Sequence, residues 1–385
     1  MQIGIEKISF YVPEYYLDIN KLAEIRSENP EKYVTNVGQE RMAVIPPNED
    51  IVTMGATAAN DIITEEDKAD IDLVIFATES GFDQSKAAGI YVHQLLGLSK
   101  NCRSFEIKQA CYGSTAAVRM AINHVKINAR SKVLVIASDV SRYGLHTKGE
   151  FTQGAGAVAF IISAKPNLVE FSDHSAFITK DIMDFWSPNY LDAAIVEGRF
   201  STKMYLQSLI EMWELYKQNS GESFSDFSGF CFHLPFSKMA DKSCARLCKY
   251  ENIVLDKDIY ESGTIYNRLI GNVYTASLYI SLISMLENSV KDLANEKIGL
   301  FAYGSGMVAE FSSCTVLPDY KAYLLIDKNQ KMLANRKELI YKEYEDFYNF
   351  KYPTNGEKMV LSIESNSQFI ISEINEHKRS YKVND

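Results

Sequence analysis

The chain has 385 residues, 46% hydrophobic and 23% charged, with a formal net charge of −10. This is an ordinary globular composition, long enough for a large core and for two or three domains. The acidic balance excludes nucleic acid and anionic membrane as default partners, although a local basic pocket for a phosphorylated ligand remains compatible with it.

The N-terminus, Met1 to Tyr11, alternates apolar and polar residues like a strand and lacks the unbroken apolar core of a signal segment. No apolar run reaches the ~18 residues that a membrane span needs. Six cysteines are too sparse for a disulfide scaffold, so reduced thiols in a cytoplasmic protein are expected.

A strand is predicted over Ile3–Tyr11 and a helix from about Ile51. Asp72–Thr78 is an apolar run of strand length, suited to burial on both faces, and ends at Glu79. A helix near Gln84–Leu96 follows, then a strand at Arg103–Ile107 and a helix opening at Cys111 and running to about Val125. Lys132–Ser138 and Ala155–Ser163 read as buried strands. The second part repeats this order: a helix over Thr202–Gln218, a strand over Gly229–Leu234, a helix over Phe236–Lys249, a helix opening at Asn272, a strand over Ile298–Tyr303 and another through Thr315. Residues 320–350 look helical and charged, and 359–383 look like one or two exposed strands.

The two parts match as patterns. A strand ends in an acid/base residue (Glu79, then His233), and a helix opens on a polar group followed by small residues (Cys111, then Asn272). A Gly-x-Gly turn then leads into a last strand at Gly154–Gly156 and again at Gly304–Gly306. An α/β protein of two related halves, 1–165 and 166–385, is expected.

Cys111 lies at a strand-to-helix junction followed by Gly113, Ser114, Ala116 and Ala117. Free N–H groups at a helix start favour the thiolate, the form that accepts an acyl group. A lone cysteine is more often inert packing, so its partners decide. Glu79, at the rim of a buried sheet, is placed to become a base through desolvation. His233, between aromatics and Pro235, is placed to hold a carbonyl oxygen. Cys231, His233, Cys244 and Cys248 offer an alternative Cys3His zinc site, but with an uncommon spacing, and no metal is expected. Both Gly-x-Gly turns match a form of the dinucleotide fingerprint. They lead into strands rather than helices, so no nicotinamide cofactor is expected. Lys238 and Lys242 share one helix face, fit either for phosphates or for solvent.

Several motifs then resemble one family. Ala77-Thr-Glu79-Ser, Phe105-Glu-Ile-Lys-Gln-Ala-Cys111-Tyr, Ala137-Ser-Asp139-Val-Ser-Arg-Tyr143-Gly, Thr152-Gln-Gly-Ala-Gly-Ala-Val-Ala159, Phe232-His233-Leu-Pro-Phe-Ser-Lys238-Met, Gly271-Asn272-Val-Tyr-Thr275 and Tyr303-Gly-Ser305-Gly occur in order. They resemble 3-hydroxy-3-methylglutaryl-CoA synthase of the bacterial mevalonate-pathway type, in the thiolase-like superfamily. The resemblance implies a five-layer αβαβα fold, a homodimer, acetyl-CoA and acetoacetyl-CoA as substrates, and no cofactor. It implies Cys111 as nucleophile, Glu79 as acid/base and His233 as the group that positions the acetoacetyl carbonyl. It further implies an oxyanion hole from the Cys111 and Ser305 N–H groups. Substrate contacts are implied for Tyr143, Thr152, Asp184, Asn272 and Ser305, with Lys238 and Lys242 near the CoA phosphates. Ser187 departs from the pattern, standing where relatives tend to carry a basic residue. The stretch before Cys111 also resembles synthases that act on carrier-protein-bound β-ketoacyl chains in polyketide assembly, which is the alternative function.

Overall fold

Apolar runs that are buried on both faces build the centre of this protein. The computed structural model describes residues 1–384. Its main sheet comprises β1 (Gly4–Tyr11), β2 (Ile71–Ala77), β3 (Arg103–Ile107), β4 (Lys132–Val140), β5 (Ala155–Ser163), β6 (Val169–Thr179), β7 (Gly229–Phe232), β8 (Lys297–Gly304) and β9 (Val308–Val316). The main helices are α1 (Ile51–Asn60), α2 (Gly113–Ile127), α3 (Gly198–Ser220), α4 (Met239–Glu251) and α5 (Ser277–Asn288).

The strand order is β7-β8-β9-β6-β1-β5-β4-β2-β3. Read outward from the centre, β1-β5-β4-β2 is mirrored by β6-β9-β8-β7. The pairs β2–β4 and β7–β8 are parallel, whereas β4–β5 and β8–β9 are antiparallel. The two arms join at a seam of only two residue pairs, Gly4 with Glu170 and Ile5 with Val169. Strand β3 has no counterpart in the second arm.

Helix α2 packs on β2, β4 and β5, and α5 packs on β7 and β8. The two helices touch each other where the Thr115 and Tyr279 hydroxyls meet at 3.3 Å. Every residue from Ser277 to Leu286 is buried, as a central layer requires. On the outer faces, α1 covers β4 and β5, while α3 covers β6 and β9 with α4 beside it. The result is the expected αβαβα stack, with the C-terminal ends of β2 and β7 opening toward a shared rim.

The structure corrects four expectations. Strand β6 was not anticipated, because its middle, Ser172-Asp-His-Ser175, is polar and has no strand signature. The second small-residue helix starts at Ser277, not Asn272, because Asn272 Oδ1 accepts the Tyr274 N–H at 2.9 Å and the Ser277 hydroxyl at 3.0 Å, holding a tight turn first. Helix α2 begins after Cys111, which lies in the preceding turn. The terminal hairpin (Phe369–Asn375, Lys378–Val383) is not simply exposed: Phe369 joins the core that contains α1, Ile371 and Ile374 pack with Leu361 in a smaller cluster, and Ile370 is buried too. Ile371 N–H donates to Asn48 O, and Arg379 pairs with Asp50 at 2.6 Å.

Candidate active site

Glu79 lies two residues beyond the end of β2, where the chain leaves a strand buried at all but one position. Asp139, near the end of neighbouring β4, is 0% exposed and accepts from the Thr78 hydroxyl and from the N–H groups of Glu79 and Ser80, at 2.8–3.0 Å. Those bonds fix the direction of the Glu79 side chain. Its Oε1 accepts a hydrogen bond from Cys111 Sγ at 2.9 Å. Burial, then the nearby Asp139 charge, push the Glu79 carboxyl up to about 8, against a partial lowering by the Cys111 bond.

The Cys111 thiol is also pushed well up, by burial first and then by Glu79. This overturns the expected low-pKa thiolate. Because α2 starts at Gly113, the sulfur lies outside its first turn, and a carboxylate rather than a cation is its neighbour. Once Glu79 is ionised the pair is a thiol donating to a carboxylate, so Glu79 can take the proton directly. Three rings wall this pair: Tyr143, Phe185 and Tyr274, with centroids 5.7–6.0 Å apart.

His233 leaves the end of β7, the mirror position of Glu79. Its N–H donates to Phe301 O at 2.8 Å, and its carbonyl accepts the Tyr205 hydroxyl at 2.7 Å. The ring is 3% exposed and Nδ1 has no partner, so burial lowers its pKa to about 3. It is a neutral imidazole at physiological pH, able to donate one N–H.

Ser305, in the turn between β8 and β9, is tied to the Cys111 turn by Gln109 Nε2, which donates to Ser305 O at 3.3 Å. The Ser305 N–H has no backbone acceptor among the described residues, and the Cys111 N–H faces its own sulfur. Asp184, expected to touch substrate, is fully buried and committed elsewhere. It accepts from the Tyr303 hydroxyl (2.8 Å), the Ser201 hydroxyl (2.9 Å) and the Gly306 N–H (2.8 Å). It therefore shapes the Ser305 turn.

Asn272 Nδ2 donates to the Tyr143 hydroxyl at 2.9 Å, and the Asn272 N–H donates to Thr152 O at 2.9 Å, which brings three expected contact residues together. The Thr152 hydroxyl is already given to Gly149 O. Lys238, at the start of α4, pairs with Asp241 at 3.1 Å, while exposed Lys242 lies over the Phe236 ring. Ser187 lines a cavity of about 970 Å³ that also reaches Glu79, Ala110 and Tyr274.

The zinc alternative fails on strand geometry. Cys231 faces α5 and packs in one core, whereas Cys244 and Cys248 pack with Phe230 and Phe232 in another. Neither Gly-x-Gly turn precedes a helix; both lead into strands. Instead, Gly154 is required because a Cβ there would meet Ile270 O at 2.6 Å. Sequence reading gave no role to Asp139, Gln109, Tyr112, Tyr205 or Glu310. An acid ending a wholly apolar strand was the available signal for Asp139; the others needed the fold.

The family profile described as hydroxymethylglutaryl-coenzyme A synthase N terminal matches residues 1–167, and the corresponding C-terminal profile matches 170–269 and 252–383. A hydroxymethylglutaryl-CoA synthase of Enterococcus faecalis is 42% identical over 385 residues, 99% of this chain and 100% of the relative. A polyketide-biosynthesis 3-hydroxy-3-methylglutaryl-ACP synthase of Bacillus subtilis is 30% identical, covering 98% of each. A crystal structure of HMG-CoA synthase complexed with CoA superposes with a TM-score of 0.95 at 40% identity, over 100% of both chains.

Proposed function

Because this chain belongs to the hydroxymethylglutaryl-CoA synthase family, enzymes that condense acetyl-CoA with acetoacetyl-CoA and water to 3-hydroxy-3-methylglutaryl-CoA and CoA, we propose that Cys111, Glu79 and His233 carry that reaction here. The observation behind this assignment is the 2.9 Å thiol–carboxylate bond in a site walled by aromatic rings.

In the first step Glu79 takes the Cys111 proton as Sγ attacks the acetyl-CoA carbonyl. The oxyanion is held by the Cys111 and Ser305 N–H groups. The carbon–sulfur bond to CoA breaks, and the departing thiolate takes the proton back from Glu79. The Glu79 carboxylate next removes a methyl proton from acetyl-Cys111, and the enolate attacks the ketone of acetoacetyl-CoA. His233 steadies the ketone oxygen, which becomes an alkoxide and receives the proton from Glu79. Water then attacks the enzyme thioester, releasing the product and restoring the thiol. These steps balance with two thioesters and water, and call for no cofactor. Tyr143, held by Asn272, and the backbone of Thr152 border the second substrate. Lys238 and Lys242 are suited to CoA phosphates.

Of the two edge strands of the sheet, β7 is buried throughout whereas β3 is only partly buried, which suits β3 for pairing with a second copy in a homodimer. Among the described residues no helix is long and apolar enough to cross a membrane, and all six cysteines are free, which suits a reducing cytoplasm.

The test is release of CoA thiol from acetyl-CoA plus acetoacetyl-CoA, with intact-protein mass spectrometry after acetyl-CoA alone. One acetyl group on Cys111 is expected, and none in Cys111→Ser. Full turnover by Cys111→Ser would end the covalent assignment. Faster turnover of acetoacetyl carrier protein than of acetoacetyl-CoA would move the chain to the polyketide type.

A further inference from the structure

The two N–H groups assigned to the oxyanion hole come from opposite arms of the sheet: Cys111 precedes α2, and Ser305 joins β8 to β9. Their separation has to be fixed, because a misplacement of ~1 Å can cost ~10²-fold in rate. Tyr112 stands between them. A Cβ at Gly304 would meet Tyr112 Cβ at 2.6 Å, Tyr112 N at 2.7 Å and Gln109 O at 2.5 Å, so the two backbones are in contact.

The Tyr112 phenol donates to Glu310 Oε2 at 2.6 Å. The other oxygen of Glu310 takes Arg119 Nε at 2.6 Å, from the next turns of α2. Arg119 also reaches Ser172 O on β6 at 3.4 Å. Glu310 is 2% exposed and lies on β9, five residues beyond Ser305 on the same hairpin. One buried carboxylate of the second arm thus holds two side chains of the first, one of them bonded directly to the nucleophile residue.

We propose that Glu310 is a positioning residue for the oxyanion hole: through Tyr112 it sets the spacing between the Cys111 and Ser305 N–H groups. Both of its oxygens are occupied, so it does not touch substrate. A buried acid–arginine pair alone is weak evidence of stabilisation. What distinguishes this one is that a carboxylate shared between Arg119 and Tyr112 fixes a direction as well as a contact. This inference rests on the oxyanion roles proposed above.

The test compares Tyr112→Phe, Glu310→Gln and Arg119→Lys with the native full-length enzyme. Tyr112→Phe removes one hydroxyl and leaves the ring and the ion pair, so it keeps the problem tractable if Glu310→Gln does not fold. The expected result for Tyr112→Phe is a fall in kcat of ~10- to 100-fold, smaller than outright loss of an oxyanion donor. KM values for both thioesters should stay within about threefold, and acetylation and condensation should slow together because one hole serves both. The carbonyl stretch of the acetyl-enzyme should move to higher frequency, reporting weaker hydrogen bonding. The Tyr112→Phe/Glu310→Gln double variant should lose no more than the worse single, and Arg119→Lys should retain most activity. Unchanged kcat and carbonyl frequency in folded Tyr112→Phe would overturn the proposal, as would multiplicative losses in the double variant. Absence of an acetyl adduct in the native enzyme would instead refute the underlying roles of Cys111 and Ser305.

Discussion

Asp139 of the first arm accepts both the N–H and the hydroxyl of Thr275 from the second, the N–H at 3.0 Å. The same carboxylate fixes the Glu79 backbone, so one buried acid ties Glu79 to the opposite half of the molecule. A backbone N–H donates to each of its oxygens, Glu79 and Ser80 to one and Thr275 to the other, so an amide nitrogen in either position would face a donor. Asp139→Asn should therefore lose on the order of 2–4 kcal/mol of stability, read by calorimetry. It should also shift catalysis. The Asp139 charge helps to raise Glu79, so its removal should move the alkaline-rising limb of the condensation rate from about 8 toward lower pH. A limb that stays in place would show that burial alone sets the Glu79 value.

Glu79→Gln separates the two chemical steps. The Glu79 carboxylate raises the Cys111 thiol both through its charge and through the hydrogen bond. A neutral amide removes the charge, so the thiol becomes more acidic, which partly offsets the lost proton acceptor, and acetyl loading should persist at a reduced rate. Condensation should fall by ~10³-fold for want of a base. The stability sign is also fixed. The folded carboxyl sits at about 8 against 4.5 for the free group, so its stability contribution is intact below 4.5 and lost as pH rises through 8. The melting temperature of Glu79→Gln should thus gain on the native protein across that interval. Condensation at the native rate in Glu79→Gln would show that another group is the base.

His233 should contribute no inflection near its ordinary value of 6.5 to the pH dependence of kcat/KM for acetoacetyl-CoA, because burial holds it neutral down to about 3. Its depressed value gives stability that is present above 6.5 and lost as pH falls toward 3. His233→Ala should raise KM for the second substrate and leave acetyl loading intact. An NMR titration of the ring with a midpoint near 6.5 would contradict this.

Gly271 has a φ of +96°, and a Cβ there would lie 1.9 Å from Gln153 O. Gly271→Ala therefore combines a disfavoured backbone with a direct clash where the Asn272 and Gly154 segments cross. We expect a loss of several kcal/mol, on the scale of the most damaging single substitutions, seen as little soluble protein or a sharply lowered Tm. A variant that melts like the native protein would show that this crossing can relax.

The legible and illegible parts divide along physical lines. Apolar runs such as Val133–Ala137 announce themselves because helices cover both faces. Glu79 and His233 were visible because each ends such a run. Strand β6 was hidden because polar residues interrupt it, although it occupies the seam. The ionisation of Cys111 was misread because the sequence shows the helix after it but not the carboxylate that folding sets against it. Asp184 could be located, yet only three dimensions reveal that Tyr303, Ser201 and Gly306 already occupy its oxygens.

The ion pair between Asp50 and Arg379 joins groups 329 residues apart in the chain. On the ribosome, the cation that neutralises Asp50 emerges long after the strands of the first arm have been made. The nascent N-terminal portion must therefore wait with its outer helix unroofed, and the hairpin from Phe369 to Val383 acts as a closing clasp. A chain cut short before Phe369 would carry Glu79, Cys111 and His233 and lack that clasp.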